Sequence, residues 1–548
     1  MFCYQCEQTA QGKGCTIQGV CGKDDNTATL QDLLIYSLQG ISNYAHRASQ
    51  FGIHNHEVDV FILKALFTTI TNVNFDPLIL QKLIMTSKNM KDSAKDMYLA
   101  VCRKEGKLPE TLSGPALFEP KDSLEELILQ GKEHGLQNHI QELGEEAGGV
   151  FHLILYGLKG MAAYADHAYI LSVEDSKVYS FFHKALDFLS STNHPLDAIV
   201  TMALSVGEMN LHVMELLDRA NTGRYGHPEP TNILTTPIKG KAILVSGHDL
   251  LDLEEILIQT AGRGLNVYTH GEMLPANAYP GLKKYPHLIG NYGSAWQNQH
   301  KEFSEFPGAI LMTTNCIQKP LEAYIKNIFT SGLVAYPNVH HIINHAFAPV
   351  IQKALEMEGF KESLPEKKIW IGFGRNAIIE RADALLKLVN EGKLKHVFLI
   401  GGCDGTKPGR SYYTELAQMT PQDTIILTLA CGKYRLNKLE LGSIDGVPRL
   451  LDVGQCNDSY SAVQVALTLA KALNTDVNHL PLSFVLSWYE QKAVVVLLSL
   501  LSLGIQNMYL GPSLPAFIKP GVWKVLQEKF NLKAIGNPIE DLKEMLEK

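Results

Sequence analysis

The sequence predicts a multidomain protein: an all-helical amino-terminal half, then two α/β domains built on parallel sheets. Three observations carry this reading. From about Leu30 to Ala220 apolar residues recur every three or four positions, with no strand-like alternation. Within that half, one segment repeats at a fixed offset. Beyond a stretch rich in proline and glycine, short apolar runs alternate with amphipathic helices, the pattern of a doubly wound parallel sheet. At roughly 150 residues per domain, 548 residues make three or four domains. The expected boundaries are 1–225, 238–364 and 365–548.

In the helical half, short loops such as Asn72-Val73-Asn74-Phe75-Asp76-Pro77 separate the segments. Leu34-Ile35-Tyr36-Ser37-Leu38-Gln39-Gly40 resembles Ile154-Leu155-Tyr156-Gly157-Leu158-Lys159-Gly160. Tyr44-Ala45 recurs as Tyr164-Ala165, and Lys64-Ala65-Leu66 as Lys184-Ala185-Leu186, all at an offset of 120 residues. A constant offset across separate segments predicts two duplicated helical bundles. Gly40 and Gly160, both mid-helix, are expected where another chain segment packs closely.

Asn221 to Gly240, with Pro228, Pro230 and Pro237, reads as a linker. Strands are expected at Ala242–Val245, Leu265–Tyr268 and 307–312, with an amphipathic helix between the first two. A break near Ser363-Leu364-Pro365-Glu366 precedes a second unit. Its strands are expected at Lys368–Gly372, His396–Ile400, Thr424–Leu429, Leu450–Val453 and Leu482–Leu486. Gly372-Phe373-Gly374 lacks the third glycine of a dinucleotide fingerprint, Ile378 standing in its place, and reads as a plain turn.

Composition excludes several functions. Forty-nine Lys and Arg against fifty-seven Asp and Glu give a net charge of −8, which disfavours nucleic acid or an anionic membrane as partner. The segment Met1-Phe2-Cys3-Tyr4-Gln5-Cys6 has neither the basic nor the apolar region of a signal peptide. The longest apolar run, Ala493 to Ile505, falls short of the roughly 20 residues that span a bilayer. A cytoplasmic protein is expected. Nine cysteines are too few for a disulfide scaffold.

Their placement is uneven. Four form Cys3-x2-Cys6-x8-Cys15-x5-Cys21, on a loop that also holds Gly12, Gly14, Gly19 and Gly22. Four thiolates on a loop able to wrap inward suit a metal centre. Zinc takes the same ligands, and spacing alone does not separate it from an iron–sulfur cubane. The single Cys-x2-Cys knuckle favours the cluster over a zinc ribbon. Cys102, in a helical region, reads as a buried structural residue.

The other four cysteines emerge as a set once the strands are placed, because ligands in open parallel sheets bind beyond the carboxyl ends of strands. His248, Glu272, Cys316, Cys403, Cys431, Cys456 and Glu490 each follow a strand. Singly, each reads as a core or loop residue. Jointly, their mixed sulfur, nitrogen and oxygen donors suit a metal cluster with sites of unequal softness. The residues alone point to a redox metalloenzyme with two iron–sulfur-type centres.

The cysteine spacing, together with Gly247-His248-Asp249, Gly271-Glu272, Thr314-Asn315-Cys316, Gly401-Gly402-Cys403-Asp404-Gly405, Ala430-Cys431-Gly432, Gln455-Cys456-Asn457-Asp458 and Trp488-Tyr489-Glu490-Gln491-Lys492, resembles the hybrid-cluster protein (prismane protein) family over essentially the whole chain. The resemblance implies two helical bundles followed by two Rossmann-like domains, and hydroxylamine reductase activity. It implies a 4Fe-4S cluster on Cys3, Cys6, Cys15 and Cys21. It also implies a hybrid iron–sulfur–oxygen cluster of the 4Fe-2S-2O type between the domains. The implied ligands of that cluster are His248, Glu272, Cys316, Cys403, Cys431, Cys456 and Glu490, with a persulfide on Cys403.

On this reading hydroxylamine takes two electrons and two protons to give ammonia and water. Electrons come from a reductase or ferredoxin-type partner through the amino-terminal cluster. Hydroxide leaves poorly, so an acid is needed nearby, and Glu490 and Lys492 are the candidates. The alternatives are nitric oxide reduction to nitrous oxide, a nitric-oxide-responsive protein that S-nitrosylates partners, and a carbon monoxide dehydrogenase-like enzyme.

Overall fold

A computed structural model describes residues Met1–Glu547. The chain forms two compact units. The first comprises Met1–Val213, Glu490–Leu503 and Pro515–Val525, and the second Met214–Tyr489, Gly504–Leu514 and Leu526–Lys548.

The first unit is helical. Its helices are α1 (Asp25–Ser49), α2 (His56–Thr68), α3 (Pro77–Lys104), α4 (Leu124–Glu133), α5 (Leu136–Ile170), α6 (Ser176–Phe188) and the first half of α7 (Leu196–Tyr225), joined by Gln491–Ser502. Their starts follow the capping chemistry of the sequence. Asp24 accepts from the Thr27 amide at 2.7 Å, and Asp76 precedes Pro77 in the first turn of α3. Ser123 and Glu126 bond reciprocally in a capping box. The two mid-helix glycines mark close approaches, as expected. A Cβ on Gly40 would collide with the Pro115 carbonyl, and one on Gly160 with the Gln491 carbonyl.

The second unit carries two sheets. The first contains β1 (Thr231–Leu234), β2 (Lys241–Ser246), β3 (Leu265–His270), β4 (Leu288–Asn291), β5 (Ala309–Met312), β6 (Ile328–Ser331), β7 (His340–Ile342) and β8 (Lys368–Ile371), in spatial order β7-β6-β5-β2-β3-β4-β1-β8. All its pairings are parallel except β1 with β8. The second contains β9 (His396–Gly402), β10 (Thr424–Leu429), β13 (Leu450–Gly454), β14 (Leu482–Ser487), β15 (Met508–Gly511) and β16 (Lys533–Ala534), all parallel, in the order β13-β10-β9-β14-β15-β16. A small hairpin, β11 (Ser443–Ile444) and β12 (Val447–Pro448), lies apart. The central strands are buried almost throughout, which is why they read as continuous apolar runs.

One expected element has a different partner. The strand expected at Lys368–Gly372 to open the second α/β unit is Lys368–Ile371, and it closes the edge of the first sheet, pairing Thr231 with Ile371 and Leu234 with Lys368. Its partner β1 lies inside the stretch expected to be a linker. Four residues with no helical period can form an edge strand wherever a complementary edge is free, and the sequence does not name that edge.

Candidate metal and redox sites

The amino-terminal loop belongs to the first unit. Cys3 and Cys15 face each other across an antiparallel bridge, their amides and carbonyls bonded at 3.0 and 2.8 Å. The Ala10 amide donates to Cys15 Sγ at 3.5 Å. Burial pushes the Cys6 thiol well up, and Cys21, Cys3 and Cys15 push it further, so the other three thiols lie around it. Burial also raises Cys3, while Lys23 lowers it. Tyr4, between the first two cysteines, lies with its hydroxyl 2.5 Å from His152 Nδ1. His152 Nε2 is 3.2 Å from His139 Nδ1.

Two buried ammonium groups adjoin this loop. Lys159 donates to Gln5 Oε1 at 3.1 Å, and Lys23 bonds to Gln31 Oε1. Burial, reinforced by Lys23, lowers Lys159 to about 8. Burial raises Asp32 to about 6 against the pull of Lys159 and Lys23. Four thiols on one loop, two buried and two half-buried, that repel one another when ionised are a donor set for a cation-rich centre, and they fit one.

The second constellation lies in the second unit, where five β-strands of its two sheets deliver donors from their carboxyl ends and a sixth loop follows β5. Nearly every loop turns through the left-handed backbone region at or just before the donor. Gly247 (φ 113°) precedes His248, Gly271 (57°) precedes Glu272, Gly402 (111°) precedes Cys403 and Ala430 (59°) precedes Cys431. Cys316 itself sits at φ 70°. A side chain at Gly402 would strike the Ser487 carbonyl, so that turn demands glycine.

These turns bring the donors together. One donor atom from each of His248, Glu272 and Cys456 lies within 4.8 Å of the others. Glu272 Oε2 is 3.7 Å from His248 Nε2 and accepts from the Cys456 amide at 2.9 Å. Thr314 Oγ1 sits 3.0 Å from His248 Nδ1, which leaves Nε2 facing the other donors. The Gln455 amide donates to the carbonyls of His248 at 3.2 Å and Glu272 at 2.8 Å, tying three loops. Burial drives the Cys431 thiol well up, and Glu272, Cys316 and Cys403 drive it further. Three of the seven expected donors thus lie together, and Cys431 feels Glu272, Cys316 and Cys403. Sulfur, imidazole and carboxylate donors gathered in one place fit a metal cluster with sites of unequal softness.

A scaffold of buried ions holds the loops, and sequence reasoning did not single it out. Lys433 Nζ donates to Asp452 at 2.5 Å and to the Gly454 carbonyl at 2.7 Å, linking the Cys431 turn to the end of β13. Arg410 reaches the Ser487 hydroxyl at 2.7 Å, the Cys403 carbonyl at 3.3 Å and the Trp488 carbonyl at 3.1 Å. Asp404 accepts from Gln297 at 2.7 Å and Arg435 at 2.8 Å. Gln299 donates to the Cys316 carbonyl at 2.6 Å. Charged residues one to seven positions from a cysteine were the available signal.

Glu490 and Lys492 lie in the first unit. Glu490 caps Gln491–Ser502, accepting from the Lys492 amide at 2.9 Å, and Lys492 Nζ is 3.6 Å from Glu490 Oε1. Burial raises the Glu490 carboxyl while Lys492 restrains it. Cys102 is buried in α3, as its helical context suggests.

Residues 1–543 match the model of the Prismane/CO dehydrogenase family. The chain is 54% identical to the hydroxylamine reductases of Syntrophobacter fumaroxidans and Methanocella arvoryzae, over 546 residues and the full length of both chains. It is 53% identical to that of Geobacter sulfurreducens over 549 residues, covering all of this chain and 99% of the relative. The fold is similar to that of a nickel-free carbon monoxide dehydrogenase from Thermococcus sp. AM4, at TM-score 0.56 and 15% identity, covering 100% of this chain and 90% of that one. Carbon monoxide dehydrogenase IV from Carboxydothermus hydrogenoformans is similar at TM-score 0.56 and 14% identity, covering 99% and 92%. The chain belongs to the Prismane/CO dehydrogenase family.

Proposed function

We propose that this chain is a hydroxylamine reductase, converting hydroxylamine, two electrons and two protons into ammonia and water. The observation that carries the reading is the convergence of His248, Glu272 and Cys456 within 4.8 Å beside Cys431, Cys316 and Cys403. The full-length likeness to proteins named for this reaction supports it. The family's iron–sulfur chemistry agrees with the donor sets, and we assign a 4Fe-4S cluster to Cys3, Cys6, Cys15 and Cys21. To the second set we assign a 4Fe-2S-2O hybrid cluster, with Glu490 as seventh ligand and a persulfide on Cys403. We further read the chain as two duplicated helical bundles (1–225) and two Rossmann-like domains (238–364 and 365–548), with Lys368–Ile371 pairing into the first of the two sheets.

When bound, the two centres supply electron storage and an open iron site for the nitrogen substrate. The chain's own residues do the rest. Thr314 and Gln455 fix the orientation of His248 and Glu272. Lys492 holds a proton at Nζ beside Glu490 Oε1, the pair we assign to protonate the leaving hydroxyl. A reductase or ferredoxin-type protein is the electron donor. Nine cysteines are too few for a disulfide scaffold, which suits a reducing compartment, and we assign the protein to the cytoplasm. No helix among the described residues is long and apolar enough to cross a membrane.

The test offers hydroxylamine and nitric oxide separately to anaerobically purified protein with excess reductant, and quantifies ammonia and nitrous oxide per cluster. Ammonia release at a comparable or higher rate supports the assignment. Fast nitrous oxide with sluggish ammonia makes the protein a nitric oxide reductase, and neither product above background favours a role in nitric oxide signalling.

A further inference from the structure

Resting on the assignment of an iron–sulfur centre to Cys3, Cys6, Cys15 and Cys21, we propose that Lys159 is a buried counter-charge that raises the reduction potential of that centre. Lys159 is 3% exposed, yet neither of its hydrogen bonds is to a carboxylate. It donates to the amide oxygen of Gln5 at 3.1 Å and to the Thr69 carbonyl at 3.5 Å. Gln5 lies between Cys3 and Cys6, and Gln491 holds its carbonyl at 2.6 Å, so the ammonium is fixed against the knuckle of the cysteine loop. Cys3 and Lys159 act on one another electrostatically.

A buried cation on neutral acceptors is costly unless a nearby anion compensates it. Four thiolates around iron and sulfide supply such an anion. Adding one electron increases the negative charge and makes or breaks no bond. A fixed positive charge in a low-dielectric site therefore favours the reduced form over the oxidised one.

The repeat within the helical half sharpens the argument. Lys159 occupies the position that Gln39 holds 120 residues earlier. Gln39 is also buried and donates to the Leu189 carbonyl at 2.9 Å, so a neutral amide satisfies that register in α1. The lysine occurs in the copy whose residue at this register bonds Gln5 of the cysteine loop. Lys23, 3% exposed and bonded to Gln31, adds a second cation. Asp32 opposes both and acts on Cys3 in the opposite sense to Lys23.

The test is an anaerobic redox titration of the loaded protein, monitored by the paramagnetic resonance of the reduced amino-terminal centre, with iron and sulfide content measured alongside. Lys159→Gln keeps a donor for Gln5 and removes the charge, and Lys159→Met removes both. Each is expected to shift the midpoint potential to more negative values, and Asp32→Asn to more positive ones. An unchanged or more positive potential in Lys159→Gln with the centre intact overturns the proposal. Should both lysine variants lose the centre, no positive shift in Asp32→Asn overturns it equally. Absence of iron and sulfide from the loop of the unsubstituted protein would instead refute the cluster assignment.

Discussion

Replacing Lys433 with methionine should cost the second unit more stability than any other single change around the metal site. Lys433 is fully buried, and its ammonium bonds Asp452 at 2.5 Å and the Gly454 carbonyl at 2.7 Å. Methionine matches the stem and lacks the charge. Asp452 is left with the Gly454 amide at 3.1 Å as its hydrogen-bond donor to Oδ1, in a site 3% exposed. Removing one partner of a buried pair typically costs about 3–5 kcal/mol. At about 2 °C or more per kcal/mol for a large domain, the melting transition should fall by roughly 6 °C or more.

The pH dependence of this loss has a definite sign. Burial already raises the Asp452 carboxyl, and Lys433 is the strongest influence that lowers it. Without Lys433 the carboxyl rises further. A raised acid binds more protons in the folded than in the unfolded state, so the variant gains stability relative to the unsubstituted protein as pH falls through the new value. Calorimetry at pH 8 and pH 5.5 should show a smaller gap at the lower pH. The double variant Lys433→Met/Asp452→Asn should recover most of the loss. A gap independent of pH, together with a double variant no more stable than the single, would refute the argument.

Other outcomes follow from the same geometry. Thr314→Val removes the hydroxyl that orients His248 and should weaken metal retention at the second site by about 10-fold or more, read as iron content after dialysis, with the amino-terminal centre unaffected. Gly160→Ala drives a Cβ into the Gln491 carbonyl and should lower stability by about 1–3 kcal/mol in thermal unfolding, whereas Gly52→Ala, with open space around its Cβ, should show only the smaller strain of its positive φ. Lys492→Ala should lower ammonia release while leaving iron content intact, and unchanged turnover would remove Lys492 from the mechanism. Cys6→Ser should abolish the amino-terminal centre and spare the second site's iron.

Much of this was legible in the linear text because two of its signals are local. Helical periodicity and strand–helix alternation depend on neighbours a few residues apart, and the rule that ligands gather at strand ends then collects His248, Glu272 and the four later cysteines. What escaped depends on distant partners. Lys368–Ile371 has an ordinary strand composition, and only the free edge of Thr231–Leu234 decides which sheet it joins. Lys433 and Asp452 are 19 residues apart, and each alone reads as a surface residue. Lys159 was visible only as one letter of a repeat, its burial being set by Gln5 and Thr69 from other elements.

The left-handed turns at Gly247, Gly271, Cys316, Gly402 and Ala430 bear on how the metal is received. Conformations of this kind persist where surrounding structure over-determines them, and here hydrogen bonds from strands and buried ions do so. The Cys403 amide is anchored on the Ser487 carbonyl at 2.8 Å and the Ala430 amide on the Gly454 carbonyl at 3.0 Å, both main chain to main chain. Bonds that leave the donor side chains free should let the turn backbones keep their shape when iron is removed. Stripping the metal should leave the amides of Cys403 and Ala430 slow to exchange, and reloading should proceed without refolding of the sheets.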